Sequence, residues 1–518
     1  MPTNATVTGT VTCAGLPMEG VVVSDGVNVT ATDANGMYYL ATDISTADHI
    51  RITIPAGYEM TGKKNLSPAF FSAVKSSASG LQTHDFQLKK VDQSNYTLMV
   101  MADSHVIGAG TKNGLYGSTK DRSTYTGTVM PKWNAYAASC PGPVYGLHLG
   151  DMTQVGQWGY YSLANYRTDT SVSTVPIFNA MGNHDHDLPS SGTFTEQNQR
   201  LARKTFSSTL GPAYYSFEIG TEHYIVIDNV VVVDSDSSND ALNDAITEGY
   251  KIKLDPIQLA WLKTDVSYID KTKIKGIVIC AHCPLFNAKG ANYMINTTDV
   301  IETIKMFPVT SLIGHSHVDR FMEKTTPTYS KTLREYLNPS LAGTAWLTSK
   351  CVDGTPAAFV AYTFANGKTA SRKFVPYGEN EGVTYLAYDK NWTTSAITEG
   401  SFSAKKPAND GTSTAPAVIL NAWGSKNVSF AESTGGIGTA TRSATYDPAY
   451  RTWFYTSLAS SDRNSIVCNS TYPDGPNWQQ PGTSVHLWKY VPADPTATIT
   501  ATITDEFGGT RKVTLRAK

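Results

Sequence analysis

Five segments of the 518-residue chain end an apolar run in residues that hold hard or borderline metal ions: TLMVMADSHV, VYGLHLGDMT, PIFNAMGNHD, GIVICAHCPL and TSLIGHSHVD. Between them they supply Asp103, His105, Asp151, Asn183, His184, His282, His315 and His317. Carboxylate, amide and imidazole donors with no required thiolate suit Mn, Fe or Zn better than a soft metal or an iron–sulfur cluster. Two ions held about 3.5–4 Å apart need a shared carboxylate, and Asp151 is the natural bridge.

For these residues to meet, their apolar runs must be strands ending on one side of a sheet. Ligands in open α/β sheets gather just beyond the carboxyl ends of the strands. From Asn95 onward, β-type runs alternate with segments of helical period, the pattern of a layered α/β domain. The strands expected are Tyr96–Ala102, Val144–Leu149, Val175–Ala180, Tyr214–Glu218, His223–Asp228, Ile274–Ala281 and Val309–Ile313. Helices are expected over Trp158–Tyr166, Thr195–Thr209, Pro256–Ile269 and Thr298–Met306, the third opened by Asp255 as N-cap and Pro256 in the first turn. The stretch Ile107–Trp133 reads as a long loop carrying Lys112, Tyr116, Lys120, Arg122 and Tyr125, either a specificity loop or a solvated surface.

Both flanks are strand-rich. The first 92 residues show short strands broken by turns, with Asp33-Ala34-Asn35-Gly36 as a tight hairpin connection. Beyond about residue 376 strands recur among Gly, Asn, Ser and Thr turns. The expectation is a multidomain α/β plus β protein: a β-sandwich over 1–92, a central layered α/β domain over 93–375 and a β-rich domain over 376–518.

The ordered set Asp103-Ser104-His105, Gly150-Asp151, Gly182-Asn183-His184-Asp185, His282 and Gly314-His315-Ser316-His317 resembles the calcineurin-like metallophosphoesterases over roughly residues 95–325. The segment GTVTCAGLPMEGVVVSDGVNVTATDANGMYYL is similar to transthyretin-like or carboxypeptidase-regulatory modules. AGTAWLTSKCVDGTPAAFVAYTF, HLWKY and ATITDEFGG resemble the tail of a bacterial subgroup of these enzymes. The resemblance implies one ion on Asp103, His105, Asp151 and His317, and a second on Asp151, Asn183, His282 and His315. It implies hydrolysis of a phosphate mono- or diester by a metal-bridging hydroxide, a chemistry that two cations support by polarising phosphoryl oxygens and acidifying water. His184, beside the ligands, is then the candidate general acid, with Asp185 orienting and charging its ring. Asn183 and Arg320 are candidate phosphate contacts. Purple acid phosphatases carry a tyrosine three residues after the bridging aspartate; this chain has Gln154 there, so an iron-tyrosinate site is not expected.

Other residues have plainer readings. His148 and His223 read as structural, and His186 and Asp187 either touch substrate or cap their loop. Trp158, Tyr160 and Tyr161 either line a substrate wall or pack in the core. Cys280 and Cys283 flank His282 as C-x-x-C, but strand alternation separates them, and buried packing is the reading. A formal net charge of −2 provides no footprint for gripping nucleic acid, so a small-molecule or headgroup phosphate ester is the expected partner. Charged residues make up 17% of the chain against about 25% in ordinary soluble proteins, a surface that suits an exported protein. No apolar run reaches the roughly 20 residues of a membrane span. The opening Met1-Pro2-Thr3-Asn4 has no signal-peptide pattern, so the chain is either cytoplasmic or periplasmic, secreted or cell-surface with its leader absent from this sequence; the second is favoured. The rival from another class is a surface binding or display protein on a vestigial phosphoesterase core. Loss of activity usually costs ligands, and none is missing here.

Overall fold

The computed structural model describes residues 4–108, 120–154, 161–189, 194–233, 249–326, 329–343, 346, 349–365, 368–378, 384–389, 417–442 and 485–516. Its centre is a pair of packed β-sheets built from β1 (Asn95–Met101), β2 (Val144–His148), β3 (Ile177–Asn179), β4 (Tyr215–Ile219), β5 (Glu222–Val226), β6 (Gly276–Ala281), β7 (Val309–Ile313), β8 (Arg320–Thr326), β9 (Tyr329–Leu337), β10 (Ala358–Ala365) and β11 (Lys368–Pro376). One sheet runs β3-β2-β1-β10-β11, the other β4-β5-β6-β7-β9-β8. Strands β1, β2 and β3 are mutually parallel, as are β5, β6, β7 and β9, so the ends that carry the ligand clusters point the same way within each sheet.

The solid apolar runs follow from burial on both faces. Along β1, Leu98 and Val100 join the core between the sheets with Val278, Leu312 and Val360. Met99 and Met101 point the other way, into a cluster with Trp133 and Tyr166. On the second sheet Ile225, Ile277 and Ile279 pack outward against Trp261, Leu262 and Val300. Each such side chain contributes roughly 1.5–3 kcal/mol of burial, which makes the strand register hard to shift.

Helix Pro256–Ser267 forms as expected, Asp255 accepting from the amides of Ile257 and Gln258 at 2.9 and 3.0 Å. Helix Thr297–Ile304 matches its expected place. The helix expected over 158–166 instead covers Leu163–Thr170, because Ser162 and Asn165 form a capping box; Trp158 and Tyr160 lie outside the described residues, and Tyr161 is buried core. The helix expected over 195–209 is reduced to a turn at Gln199–Leu201 and a short helix Lys204–Thr209. The long-loop reading of 107–133 is corrected. Asp121–Thr124, a π-turn Tyr125–Val129 and Met130–Ser139 form one continuous helical stretch. Tyr125 is fully buried there, and Arg122 is tied to Asp169 at 2.8 and 2.9 Å. Lys112 and Tyr116 lie outside the described residues.

The N-terminal region is a two-sheet sandwich, with Val7–Cys13 central to one sheet and His49–Ile52 to the other. The Asp33–Gly36 turn forms, Gly36 taking a φ of 70°, but it joins strands of different sheets and is not a hairpin. The sandwich abuts the central domain through Glu218 N to Ile54 O at 2.8 Å and the Arg51 guanidinium 4.8 Å over the Tyr214 ring. The C-terminal region holds two small sheets around Val418, Leu420, Ile499 and Ile503. No helix among the described residues is long and apolar enough to cross a membrane.

Candidate metal centre

The backbone at the strand ends is strained. Among the described residues nine non-glycine positions have positive φ, and five are Asp103 (52°), His105 (40°), Asp151 (54°), His315 (65°) and His317 (52°). Such conformations cost of order 1–3 kcal/mol each and persist only where surrounding contacts enforce them. Asp103 N donates to Gly150 O at 3.0 Å and His105 N to Asp151 O at 2.9 Å, knitting the first two loops together. Two motif glycines are needed for close approach. A Cβ on Gly314 would lie 2.9 Å from Asp103 Oδ2, and one on Gly182 would overlap the amide and carboxylate of Asp151.

The side chains then converge. His105 Nε2 and His317 Nε2 are 3.0 Å apart, and His317 Nε2 is 3.3 Å from Asp103 Oδ1. His282 Nε2 lies 3.0 Å from Asp151 Oδ2 and 3.0 Å from Asn183 Oδ1, with His315 Nδ1 3.1 Å from both His282 Nε2 and Asn183 Oδ1. Asp151 Oδ2 stands between these groups, 3.5 Å from His105 Nε2. A nitrogen of His184 falls within 4.8 Å of the His105 and Asp151 ligand atoms.

This donor set fits a pair of cations. Asp103, Asp151 and His282 are essentially closed to solvent. Burial works against the charge of Asp103 and Asp151, yet neighbouring histidines hold both carboxyls below their ordinary range. Burial pushes His315 down to about 3, with His282 adding to the effect, and pushes His105 well below its usual value. Carboxylates beside imidazoles that burial keeps neutral, as at His105 and His315, are the state a metal ion requires. Burial would also lower His282, but Asp151 beside it outweighs this and holds it at about 9. The His282 Nδ1–H donates to the Leu149 carbonyl at 2.8 Å, which leaves Nε2 facing the site.

His184 keeps company different from that expected. Its Nδ1 hydrogen-bonds the Gln154 carbonyl, and its amide donates to Asp151 Oδ1 at 2.9 Å. Burial lowers its pKa, opposed by Asp151. Asp185 does not orient the His184 ring; its carboxylate accepts from the amides of Asp151 (2.8 Å), Met152 (3.0 Å) and Gly182 (3.0 Å), and so shapes the turn that presents Asp151. Burial and the adjacent Asp151 raise Asp185 to about 7. Arg320, expected at phosphate, is instead engaged by Glu335 Oε1 at 3.0 Å and the Phe286 carbonyl at 2.8 Å, as a buried structural pair.

The remaining histidines support the loops. His148 Nε2 pairs with Ser104 Oγ at 2.9 Å, and His223 lies between Glu218 and Asp265. His186 Nδ1 donates to Gly182 O at 2.7 Å while Nε2 faces Asp228 Oδ2 at 3.2 Å, and Asp187 accepts from Thr205 N. Cys280 and Cys283 are free and buried in different clusters, and Cys468 lies outside the described residues. Three groups had no sequence signal: Ser340 Oγ donates to Asp103 O at 2.9 Å, Trp346 Nε1 to Ser104 O at 2.8 Å, and Leu341 N to Ala102 O at 2.8 Å. They hold the first ligand loop from more than 200 residues away.

Two mixed sheets with candidate metal-binding side chains at their strand ends are the arrangement of a metallophosphoesterase fold. Residues 96–319 match the calcineurin-like phosphoesterase family, residues 5–91 the N-terminal module of calcineurin-like phosphoesterases and residues 335–510 their C-terminal module. The chain belongs to the calcineurin-like phosphoesterases, a family of metal-dependent phosphoesterases. Purple acid phosphatase 23 of Arabidopsis thaliana is 24% identical over 223 residues, covering 42% of this chain and 39% of that protein. The chain thus spans about two fifths of the length of the curated relative it matches. A dimetal phosphatase from Danio rerio is similar in structure (TM-score 0.33, 12% identity, 54% of this chain and 99% of that one). So is a purple acid phosphatase of yellow lupin, Lupinus luteus (TM-score 0.36, 13% identity, 68% and 73%).

Proposed function

We propose that this chain hydrolyses a phosphate ester, mono- or diester, at a two-metal centre. One ion is held by Asp103, His105, Asp151 and His317, the other by Asp151, Asn183, His282 and His315, with Mn, Fe or Zn the metals suited to these donors. The observation that carries the reading is the convergence of donors from five separate strand ends into overlapping groups whose ligand atoms lie within 4.8 Å of one another, Asp151 sharing one group with His105 and His184 and another with Asp103 and His282. When bound, the two cations supply Lewis acidity toward phosphoryl oxygens and activate water as nucleophile. The chain's own part is to fix that geometry in advance through strained turns locked by Asp185 and by the carbonyls of Gly150 and Asp151. His184, its Nδ1–H committed to the Gln154 carbonyl, presents Nε2 toward the site; it would protonate the leaving alkoxide from that atom only after the ring takes up a second proton, which the nearby Asp151 favours and burial opposes. Asn183, whose Oδ1 lies beside His282 and His315, would hold the second ion and contact the phosphate.

The three regions 1–92, 93–375 and 376–518 are proposed as the domains, and export to the periplasm or cell surface as the location, because the low charged fraction suits it. The test is a screen of p-nitrophenyl phosphate against bis-p-nitrophenyl phosphate with Mn, Zn and Mg. Turnover of either ester with at least one metal is expected, and the ratio assigns monoester or diester. Protein loaded with two metals that turns over neither ester would refute the reading and favour a binding role.

A further inference from the structure

We infer that the C-terminal β-rich region, residues 376–518 and hereafter the C-terminal module, is a working part of the metal centre, which it positions through Asp319 and Asp353. The inference rests on the two-metal reading of the site. Asp319 follows His317 by two residues and is 2% exposed. Its Oδ2 accepts from the amide of Gly424, in the C-terminal module, at 2.8 Å. Its Oδ1 accepts from Arg372 Nη1 at 2.9 Å, and Arg372 Nε in turn lies 2.7 Å from Glu506 Oε1, again in the C-terminal module. The Arg372 side chain is 1% exposed and packed over Tyr336 and Phe374, so this is a closed charge cluster and not a surface contact.

Asp353 makes a second junction. Its Oδ2 accepts from the Asp319 amide at 3.0 Å and faces His486 Nε2 at 2.9 Å, while Asn421 Nδ2 donates to its carbonyl at 3.3 Å. His486 and Asn421 belong to the C-terminal module and pair with each other. The segment that Asp353 ends is also the one whose Ser340 and Trp346 clasp the Asp103–Ser104 backbone. The module therefore bears on both flanks of the Asp103/His105/His317 group: the His317 turn through Asp319, and the Asp103 turn through Asp353, whose neighbour Cys351 donates its Sγ to the carbonyl of Ser340 at 3.6 Å. Asp103 and His317 have backbone φ of 52° each, conformations that need external restraint. A spacer domain would have no reason to bury three carboxylates, an arginine and a histidine at its junction, since buried charges are costly unless matched.

Asp319 and Asp353 are positioning residues, acting on the ion at Asp103, His105 and His317 and not on the one at Asn183, His282 and His315. The experiment titrates full-length apo protein with Mn2+ or Zn2+ against a competing chelator dye, resolving two affinities. It compares wild type, Asp319→Asn, His486→Gln and Glu432→Gln. Glu432 accepts from Tyr490, Ala493 and Asp494 inside the C-terminal module, so Glu432→Gln weakens that module without touching the junction. With near-UV circular dichroism confirming folded protein, Asp319→Asn and His486→Gln are expected to lower one affinity at least tenfold and leave the other within twofold. Glu432→Gln is expected to leave both within twofold. Both affinities unchanged in the junction variants, or an equal loss in Glu432→Gln, would overturn the inference. A wild type that binds fewer than two ions would instead sink the two-metal reading itself.

Discussion

Arg203→Met should destabilise the folded chain by about 3–5 kcal/mol, the range for breaking a buried ion pair by removing one partner. Arg203 Nε lies 2.5 Å from Asp228 Oδ2 and its Nη2 2.6 Å from Asp255 Oδ2, with the three side chains 7%, 0% and 2% exposed. Asp255 keeps its two amide bonds at the start of helix Pro256–Ser267, so the loss concentrates on Asp228. Burial opposes the Asp228 charge, and His186 and Arg203 together are what hold its carboxyl below the ordinary range. Without Arg203 only His186 and the Val230 amide remain on the carboxylate, and that same imidazole is the one that fixes Gly182 O next to Asn183. The assay is equilibrium urea unfolding at pH 7 followed by far-UV circular dichroism. Adding Asp228→Asn should recover at least half of the loss, because the uncompensated charge is then gone. A loss under about 1 kcal/mol in the single variant, or no recovery in the double one, would refute the argument.

Two further predictions concern the site and pH. His184→Ala should retain both metals yet lose rate most on esters with poor leaving groups; equal loss across leaving groups, read from kcat on a series of substituted phenyl phosphates, would remove it as proton donor. His223 is lowered by burial but raised more strongly by Asp265 and Glu218, to about 9. A raised folded-state pKa adds stability that is fully present below the unfolded value of about 6.5 and lost as pH rises through about 9. The unfolding free energy from urea titrations should therefore fall across that window, by at most about 1.4 kcal/mol per pH unit from this group, and His223→Gln should flatten the slope. An identical slope in the variant would contradict it.

How much of this was readable in advance depends on whether the partner of each residue lay nearby in sequence. The five ligand clusters stood out because strands buried on both faces write unbroken apolar runs, and each run stops where its donor begins. The helical stretch 121–139 was hidden by the polar opening Asp121-Arg122-Ser123-Thr124 and by Gly127 within its π-turn, both of which read as loop. Strands β8 and β9 escaped notice because charged residues punctuate them. The role of Asp185 could not be read from residue types, since its partners are backbone amides that every sequence offers. Arg320 looked available for phosphate only because Glu335 sits fifteen residues on, across a strand pairing. Asp319 meets Gly424 across 105 residues, beyond any local pattern.

The most direct measurement is metal content of chelator-free protein by inductively coupled plasma mass spectrometry, for wild type and Asp151→Asn. Asp151 Oδ2 lies within 3.5 Å of donors from both groups, so its carboxylate is the one shared element. Close to two divalent ions per chain in wild type, and loss of both with loss of turnover in Asp151→Asn, is the predicted outcome. One ion or none in wild type, or turnover preserved in Asp151→Asn, would contradict the two-metal centre.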